Sequence, residues 1–356
     1  MSSANSAPRL LTYVDALREA VAQEMRRDPA VFVFGLDTDD HKGIQGSTRG
    51  LVEEFGSERI FGTPLSEDAM TGVAIGAAMA GMRPIHVHIR MDFLMLCMNQ
   101  LINIAAKSSY MYDGQVKVPL VVRSMIGKSW GQGAQHSQGL HSMFMHVPGM
   151  KVVAPSNAYD AKGCLIAAIR DDNPVIFVEH RLLYFTDAFV PPEPFELPLG
   201  RARVCTEGDD ITIVGISNML VECLRAHELL AEVGVNCEII DPISLVPLDI
   251  DTIARSARRT GRLLVVDNAW TTCGASAEIV ARVVEGGQNG RPIQVRRMGY
   301  APTTCPTTPV LEREFYPDPA RIAETAYAMA RPGAASWIPD PERAKLAYQM
   351  KFRGPF

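Results

Sequence analysis

The strongest constraint on this chain is a pattern that runs twice. Short apolar runs of strand length alternate with segments of helix length, first over residues 12–180 and again over 210–299. Between the two runs, VPPEPFELPLG (190–200) carries four prolines and reads as a linker. Strands alternating with helices predict a parallel sheet with helices on its faces. The expected fold class is therefore α/β in two units: residues 1–190, a linker at 191–200, and a smaller unit over 201–330. A tail over 331–356 follows, rich in proline and expected to lie over a surface.

In the first unit, TYVDALREAVAQEMRR (12–27) sets Val14, Leu17, Ala20, Val21 and Met25 on one helical face. AVFVFG (Ala30–Gly35) reads as a buried strand. The Asp- and Gly-rich loop LDTDDHKGIQGSTRG follows it, at the kind of strand end where open α/β sheets bind ligands. IHVHIRMDF (Ile85–Phe93) alternates and reads as a strand, residues 94–110 as a helix, and VPLVVRS (Val118–Ser124) as a further strand. A glycine-rich loop, GKSWGQGAQHSQG (Gly127–Gly139), comes next. KVVAP and PVIFVEH read as strands, with the helix NAYDAKGCLIAAIRDD between them. In the second unit DITIVGIS, CEIIDP, GRLLVVDN and PIQVRRMG read as strands separated by helices.

Composition excludes several classes of function. Among 356 residues, 47% are hydrophobic and 21% charged, as in soluble globular proteins. A net charge of −5 without a basic run argues against nucleic acid. The longest apolar run, about Gly72–Met82, is short of the roughly 20 residues that span a bilayer. MSSANSAPRL has no apolar signal core, so a cytoplasmic protein, or an organelle protein already stripped of its transit peptide, is expected. The seven cysteines are scattered without a C-x-x-C, which suggests neither a disulfide framework nor a zinc site. There is no G-x-G-x-x-G after a strand, no P-loop and no GDG…N arrangement to hold a magnesium diphosphate.

One stretch stands out against this background: TPLSEDAMTGVAIGAAMAG (Thr63–Gly81). Ser66 is placed to cap a helix whose first turn holds Glu67 and Asp68, where the dipole favours negative charge. Gly72, Gly76 and Gly81 each cost about 1 kcal/mol relative to Ala. Such a cost suggests that another backbone approaches closely. The residues thus allow a helix at a buried interface presenting Glu67 to a cofactor, or a tightly packed core helix with two ordinary capping acids.

TPLSEDAMTGVAIGAAMAGMRPI, INIAAKSSYMYDGQ, GAQHSQG and HVPGMKVVAPSNAYDAKGCLIAAIRDDNPVIFVEH, in this order, resemble the beta subunit of the two-subunit 2-oxoacid dehydrogenases. These are the thiamine-diphosphate-dependent decarboxylating components of the pyruvate, branched-chain and acetoin dehydrogenases. The resemblance covers roughly residues 10–325. It implies a transketolase-like pyrimidine-binding domain over 1–190 and a transketolase C-terminal domain over 201–330. It also implies oxidative decarboxylation of a 2-oxoacid with acyl transfer to a lipoyl carrier. Glu67 matches the glutamate that shares a proton with the aminopyrimidine ring, favouring the imino form that takes the thiazolium proton. Phe93 matches an aromatic packed on the pyrimidine, and His136 a histidine beside the substrate. Leu120, Ala168, Asp171 and Asn173 match a potassium site of carbonyls and one carboxylate. The missing diphosphate motif then belongs to an alpha subunit, which holds the magnesium, in an α2β2 heterotetramer that a lipoyl acyltransferase core can bind.

Three departures matter. Leu36, at a cofactor-binding position, stands where the family usually has glutamate, and Asn99 where it has aspartate. Both acids belong to a proton relay between paired cofactor sites, for which Asp37 or Asp92 offers a substitute. Finally, His86, His88 and Arg90 are expected on one strand face, with Lys128 in the glycine loop. His88, Arg90 and Lys128 either contact a carboxylate or phosphate of the substrate or belong to a polar interface. A ketol-transferring or acetoin-cleaving enzyme without lipoyl transfer is the alternative enzyme class. The lost acids also allow a non-catalytic scaffold subunit.

Overall fold

The computed structural model describes residues 9–128, 131–286 and 292–343. Ser129 of the glycine loop, the first eight residues and the end of the tail from 344 lie outside the described residues. In chain order the strands are β1 (Leu10–Thr12), β2 (Val31–Gly35), β3 (Ile60–Gly62), β4 (Arg83–His88), β5 (Val121–Ile126), β6 (Lys151–Val153) and β7 (Val175–His180). They continue with β8 (Asp187–Phe189), β9 (Arg203–Thr206), β10 (Ile211–Gly215), β11 (Cys237–Asp241), β12 (Ser244–Val246), β13 (Arg262–Trp270) and β14 (Gln294–Tyr300).

Seven strands form the first sheet in the order β12-β6-β7-β5-β4-β2-β3, and five form the second in the order β14-β13-β10-β11-β9. Each sheet is parallel except for one edge, β12 on the first and β9 on the second. β2, β5 and β7 are buried at every position. Their near-continuous Val, Ile and Phe content is that of strands covered on both faces. Helices Tyr13–Arg27 and Ala158–Arg170 cover one face of the first sheet; helix Glu67–Met79 lies over the other with the segment after β4.

The two sheets are stitched together. β12 follows β11 of the second sheet in sequence, yet it pairs with β6 of the first. Ser156 donates its hydroxyl hydrogen to Asp241, and Arg203 bonds to Asp160. His141 Nε2 lies 3.0 Å from Asp267 Oδ1, with both side chains fully buried. A Cβ on Gly139 would meet the Asn268 carbonyl oxygen at 1.7 Å, so only glycine lets the two backbones touch there.

Three expectations need correction. The run Ile85–Phe93 is not one strand: β4 ends at His88, and Met91–Cys97 coils as a 3-10 helix. The chain leaves the sheet there because Arg90 and Asp92 bond to the glycine loop rather than to a neighbouring strand. The expected helix over 94–110 is a composite of that 3-10 turn, a π segment (Asn99–Ala105) and an α segment (Ala106–Met111). Ser66 stands at the N-cap of Glu67–Met79 but its hydroxyl caps nothing; Asp68 instead accepts from the Ala69 N–H at 2.7 Å. In the tail, Trp337 packs at a tilt against Tyr327 and Arg343 pairs with Glu232, so this part lies on the second unit.

Asp241 makes a pH test of the stitching. Burial, reinforced by the nearby Asp160, pushes its carboxyl up to about 7 despite the hydrogen bonds from Ser156 and the Ile243 N–H. The folded value lies above the unfolded one of about 3.9. Its stabilising contribution is therefore full below about pH 4 and is lost as pH rises through about 7. Asp241→Asn removes that titration. In urea melts, the stability of the variant relative to wild type should rise from pH 5 to pH 8; a difference independent of pH would contradict the assignment.

Candidate active site

The carboxyl ends of β2, β4, β5 and β7 lie side by side, because the strands are parallel and paired in register. The residues just beyond them share one rim: Leu36 after β2, Arg90 and Asp92 after β4, Lys128 after β5 and Arg181 after β7.

Glu67 opens the Gly/Ala helix at this rim. It is half-buried, and its carboxylate makes no hydrogen bond or salt bridge among the described residues. The helix packs on the 3-10 turn that carries Phe93. Phe93 in turn meets His136 edge to face, with ring centroids 5.2 Å apart and planes at 77°. The structure therefore brings Phe93 and His136 into contact and sets the Glu67 helix against the same turn.

His136 sits in a loop with few regular backbone bonds, and the rim holds it from two sides. The Asp92 Oδ1 atom accepts from the Gln138 N–H at 3.2 Å and from its side-chain amide at 2.8 Å. Burial raises the Asp92 carboxyl, and the bonds from Gln138 oppose that rise. Arg90 donates to the Gln132 side-chain oxygen. The loop begins at Gly127, φ +92°, where a Cβ would strike the His180 ring at 1.9 Å. Arg90, Asp92, Gln132 and Gln138 thus fix the loop before and after His136.

The other proposed contacts are dispersed. Arg90 lies past the end of β4, so it does not share a strand face with His86 and His88. His88 is buried edge-on against His86, with centroids 4.3 Å apart. Burial, and then the His86 charge, hold the His88 imidazole well below its usual value; burial takes His86 to about 4. Lys128 turns toward the second unit, its ammonium 5.3 Å from the Tyr316 ring centroid. Burial lowers its pKa, against the opposing pull of Glu312 and Glu222. Leu36 is half-buried and Asp37 exposed at φ +55°. Asn99 is exposed and accepts from Asn103 at 2.9 Å.

Leu120, Ala168, Asp171 and Asn173 come together at the C-terminus of helix Ala158–Arg170. The Val175 N–H donates to the Leu120 carbonyl at 2.9 Å, and the Asp171 N–H to the Ala168 carbonyl at 3.3 Å. Asp171 accepts from the Asn173 N–H at 2.9 Å and pairs with Lys151. Each carbonyl keeps a second lone pair, so carbonyl oxygens rather than the paired carboxylate are the donors left for a cation.

Sequence comparisons show the family. Residues 10–186 match the transketolase pyrimidine-binding domain, and residues 200–322 match the transketolase C-terminal domain. The beta subunit of acetoin:2,6-dichlorophenolindophenol oxidoreductase from Cupriavidus necator is 42% identical over 89% of this chain and 97% of its own length. A mitochondrial pyruvate dehydrogenase E1 beta subunit from Arabidopsis thaliana is 42% identical over 86% of each chain. The chain belongs to the E1 beta-subunit family. A solved split-gene transketolase, described as an inactive beta4 tetramer, superposes with a TM-score of 0.74 at 21% identity; it covers 90% of this chain and 99% of its own and supports the fold alone.

As an E1 beta subunit, the chain belongs to a transketolase-like family that uses thiamine diphosphate, and it is one subunit of an oxidoreductase complex. Glu67 fits the group: a half-buried carboxylate with no hydrogen-bond or salt-bridge partner among the described residues, at the start of a helix packed on the turn that carries Phe93. Sequence reading missed Gln132, Gln138, Gln45 and Arg181. The signal available for Gln132 and Gln138 was Arg90 and Asp92, two polar residues at the end of an otherwise apolar run.

Asp92→Ala should free the loop. Amide exchange over residues 131–139 should accelerate, and kcat in the reconstituted complex should fall by roughly 100-fold, the scale of a misplaced catalytic group. Unchanged exchange and unchanged kcat would contradict the clamp.

Proposed function

We propose that this chain is the pyrimidine-gripping subunit of a 2-oxoacid dehydrogenase that decarboxylates a 2-oxoacid oxidatively and passes the acyl group to the disulfide of a lipoyl carrier. The observation that carries the reading is the partnerless Glu67 carboxylate set beside the turn that carries Phe93, with His136 against that ring. Thiamine diphosphate supplies the electron sink for decarboxylation when bound. Glu67 would hold the aminopyrimidine ring nitrogen and exchange a proton with it, and Phe93 and Leu36 would contact that ring. His136 donates to, or takes a proton from, the substrate oxygen.

The partner is an alpha subunit that holds the diphosphate and magnesium, in an α2β2 heterotetramer. The glycines of the Gly/Ala helix support this. A Cβ at Gly72 or Gly76 would meet nothing within 4 Å in this chain, so packing inside the chain does not account for them. Val73 is 54% exposed between them. A lipoyl acyltransferase core is the expected further partner. No helix among the described residues is long and apolar enough to cross a membrane. The seven cysteines are all free, which suits a reducing compartment such as the cytoplasm. The domain limits are those of the sequence reading: 1–190 and 201–330, joined by 191–200.

A second reading is cleavage of acetoin, favoured by the acetoin oxidoreductase beta subunits of Cupriavidus necator and Bacillus subtilis, at 42% and 39% identity. It uses the same residues on a different carbonyl compound.

With the alpha partner added, Glu67→Gln should cut 2-oxoacid-dependent dye reduction by about 100-fold or more, the scale of a lost acid–base group, with the heteromer intact. A fully active Glu67→Ala complex would sink the assignment. Gly72→Leu should leave the melting of the isolated chain near that of wild type and abolish association with the alpha subunit in gel filtration. A variant that still associates would remove the helix from the interface. For the cation at Leu120, Ala168, Asp171 and Asn173, potassium should raise the melting temperature above that in choline at equal ionic strength; equal melting in both would exclude it.

A further inference from the structure

Two buried guanidinium groups stand at the rim, and among the described residues one of them has no anionic partner. Arg181, the first residue after β7, is 6% exposed. The neutral amide oxygen of Gln45, turned inward, takes its Nε and Nη2 hydrogens. Its Nη1 is buried without a hydrogen-bond partner, and it forms no salt bridge among the described residues. Arg90 is 4% exposed and close enough for the two charges to repel: burial and then Arg181 lower its pKa to about 10.

Neither nearby carboxylate pairs with Arg181: Asp92 keeps its Oδ2 buried without a hydrogen-bond partner, and its charge acts on Arg90 instead. Asp92 Oδ1 takes both donors of Gln138. Glu179, two residues before Arg181, accepts from Arg123 at 2.6 and 3.0 Å and from the Tyr184 hydroxyl. His180 does not compensate either, since burial and the Lys128 charge push it down to about 3, leaving it neutral. A guanidinium stays charged, and taking it out of water without a counter-ion is costly. Its planar fork matches the oxygens of a carboxylate or phosphate.

We propose that Arg181, with Arg90 beside it, forms an oxyanion subsite that takes a second anionic group of the substrate. The subsite adjoins the reacting centre through Arg90, which holds Gln132 of the His136 loop. Gln45 orients Arg181 from a loop whose Ile44 and Gln45 are held at positive φ. This rests on the 2-oxoacid reading for the rest of the substrate. The shared chemistry is a terminal oxyanion, whether carboxylate or phosphate.

The test has two arms. In the reconstituted heteromer, kcat/KM is compared for pyruvate, 2-oxoglutarate and 3-phosphohydroxypyruvate. One of the two substrates bearing a second anion should exceed pyruvate by about 10-fold or more, and which one identifies the oxyanion. Arg181→Met should collapse that preference, mainly through KM. A wild-type preference for pyruvate, or a preference that survives Arg181→Met, overturns the proposal. The second arm needs no turnover. The full-length chain is titrated by calorimetry with glutarate and with inorganic phosphate at constant ionic strength. Saturable binding of one of them that Arg181→Met loses supports the subsite; no binding of either, or binding that the variant retains, overturns it. A heteromer inactive on every 2-oxoacid that still binds an anion through Arg181 would sink the dehydrogenase reading and leave the subsite standing.

Discussion

Asp92 is buried, and one oxygen of its carboxylate takes both the main-chain N–H and the side-chain amide of Gln138. That contact, with Arg90 on Gln132, determines the shape of the rim. It draws the chain out of β4 after His88 and starts the 3-10 turn. The turn carries Phe93 toward His136 and offers the surface on which the Gly/Ala helix rests. Without the two anchors, a loop with four glycines between 127 and 139 would have little to hold one imidazole in place.

The second sheet completes this arrangement from behind. β12 extends the first sheet from the far side of β11, and His141 meets Asp267 where both are fully buried. Gly139 lets the end of the His136 loop lie directly against the Asn268 carbonyl. Lys128, at the start of the same loop, rests over Tyr316 of the second unit. The loop is thereby held by Arg90 and Asp92 just beyond β4 and at its ends by the other half of the molecule, so the two halves present one site.

Much of the fold was legible because burial writes itself into composition. β2, β5, β7, β10, β11 and β13 are apolar runs bounded by Gly, Pro or Asp, and each was recognisable as such. Three-residue edges such as β1, β8 and β12 were not, since nothing in LLT, DAF or SLV separates a strand from a loop without its partner. The error at Ile85–Phe93 has a different cause. Alternation persists through Arg90 and Asp92, but both bond across to loop side chains whose positions no local pattern encodes. At the site, Glu67, Phe93 and His136 came from motif resemblance, and spacing alone would not have joined them. Arg181 was invisible because a charged residue after a strand is ordinary; only its burial beside Arg90 makes it informative.

The central claim is that the Glu67 carboxylate drives proton exchange in a cofactor held between this chain and its partner. The direct measurement is the rate of hydrogen–deuterium exchange at the thiazolium carbon of thiamine diphosphate in the reconstituted complex, followed by acid quench and NMR. Wild type should accelerate exchange far above the free cofactor, and Glu67→Gln should return it close to the free rate with the cofactor still bound. Equal acceleration in wild type and variant would contradict the account.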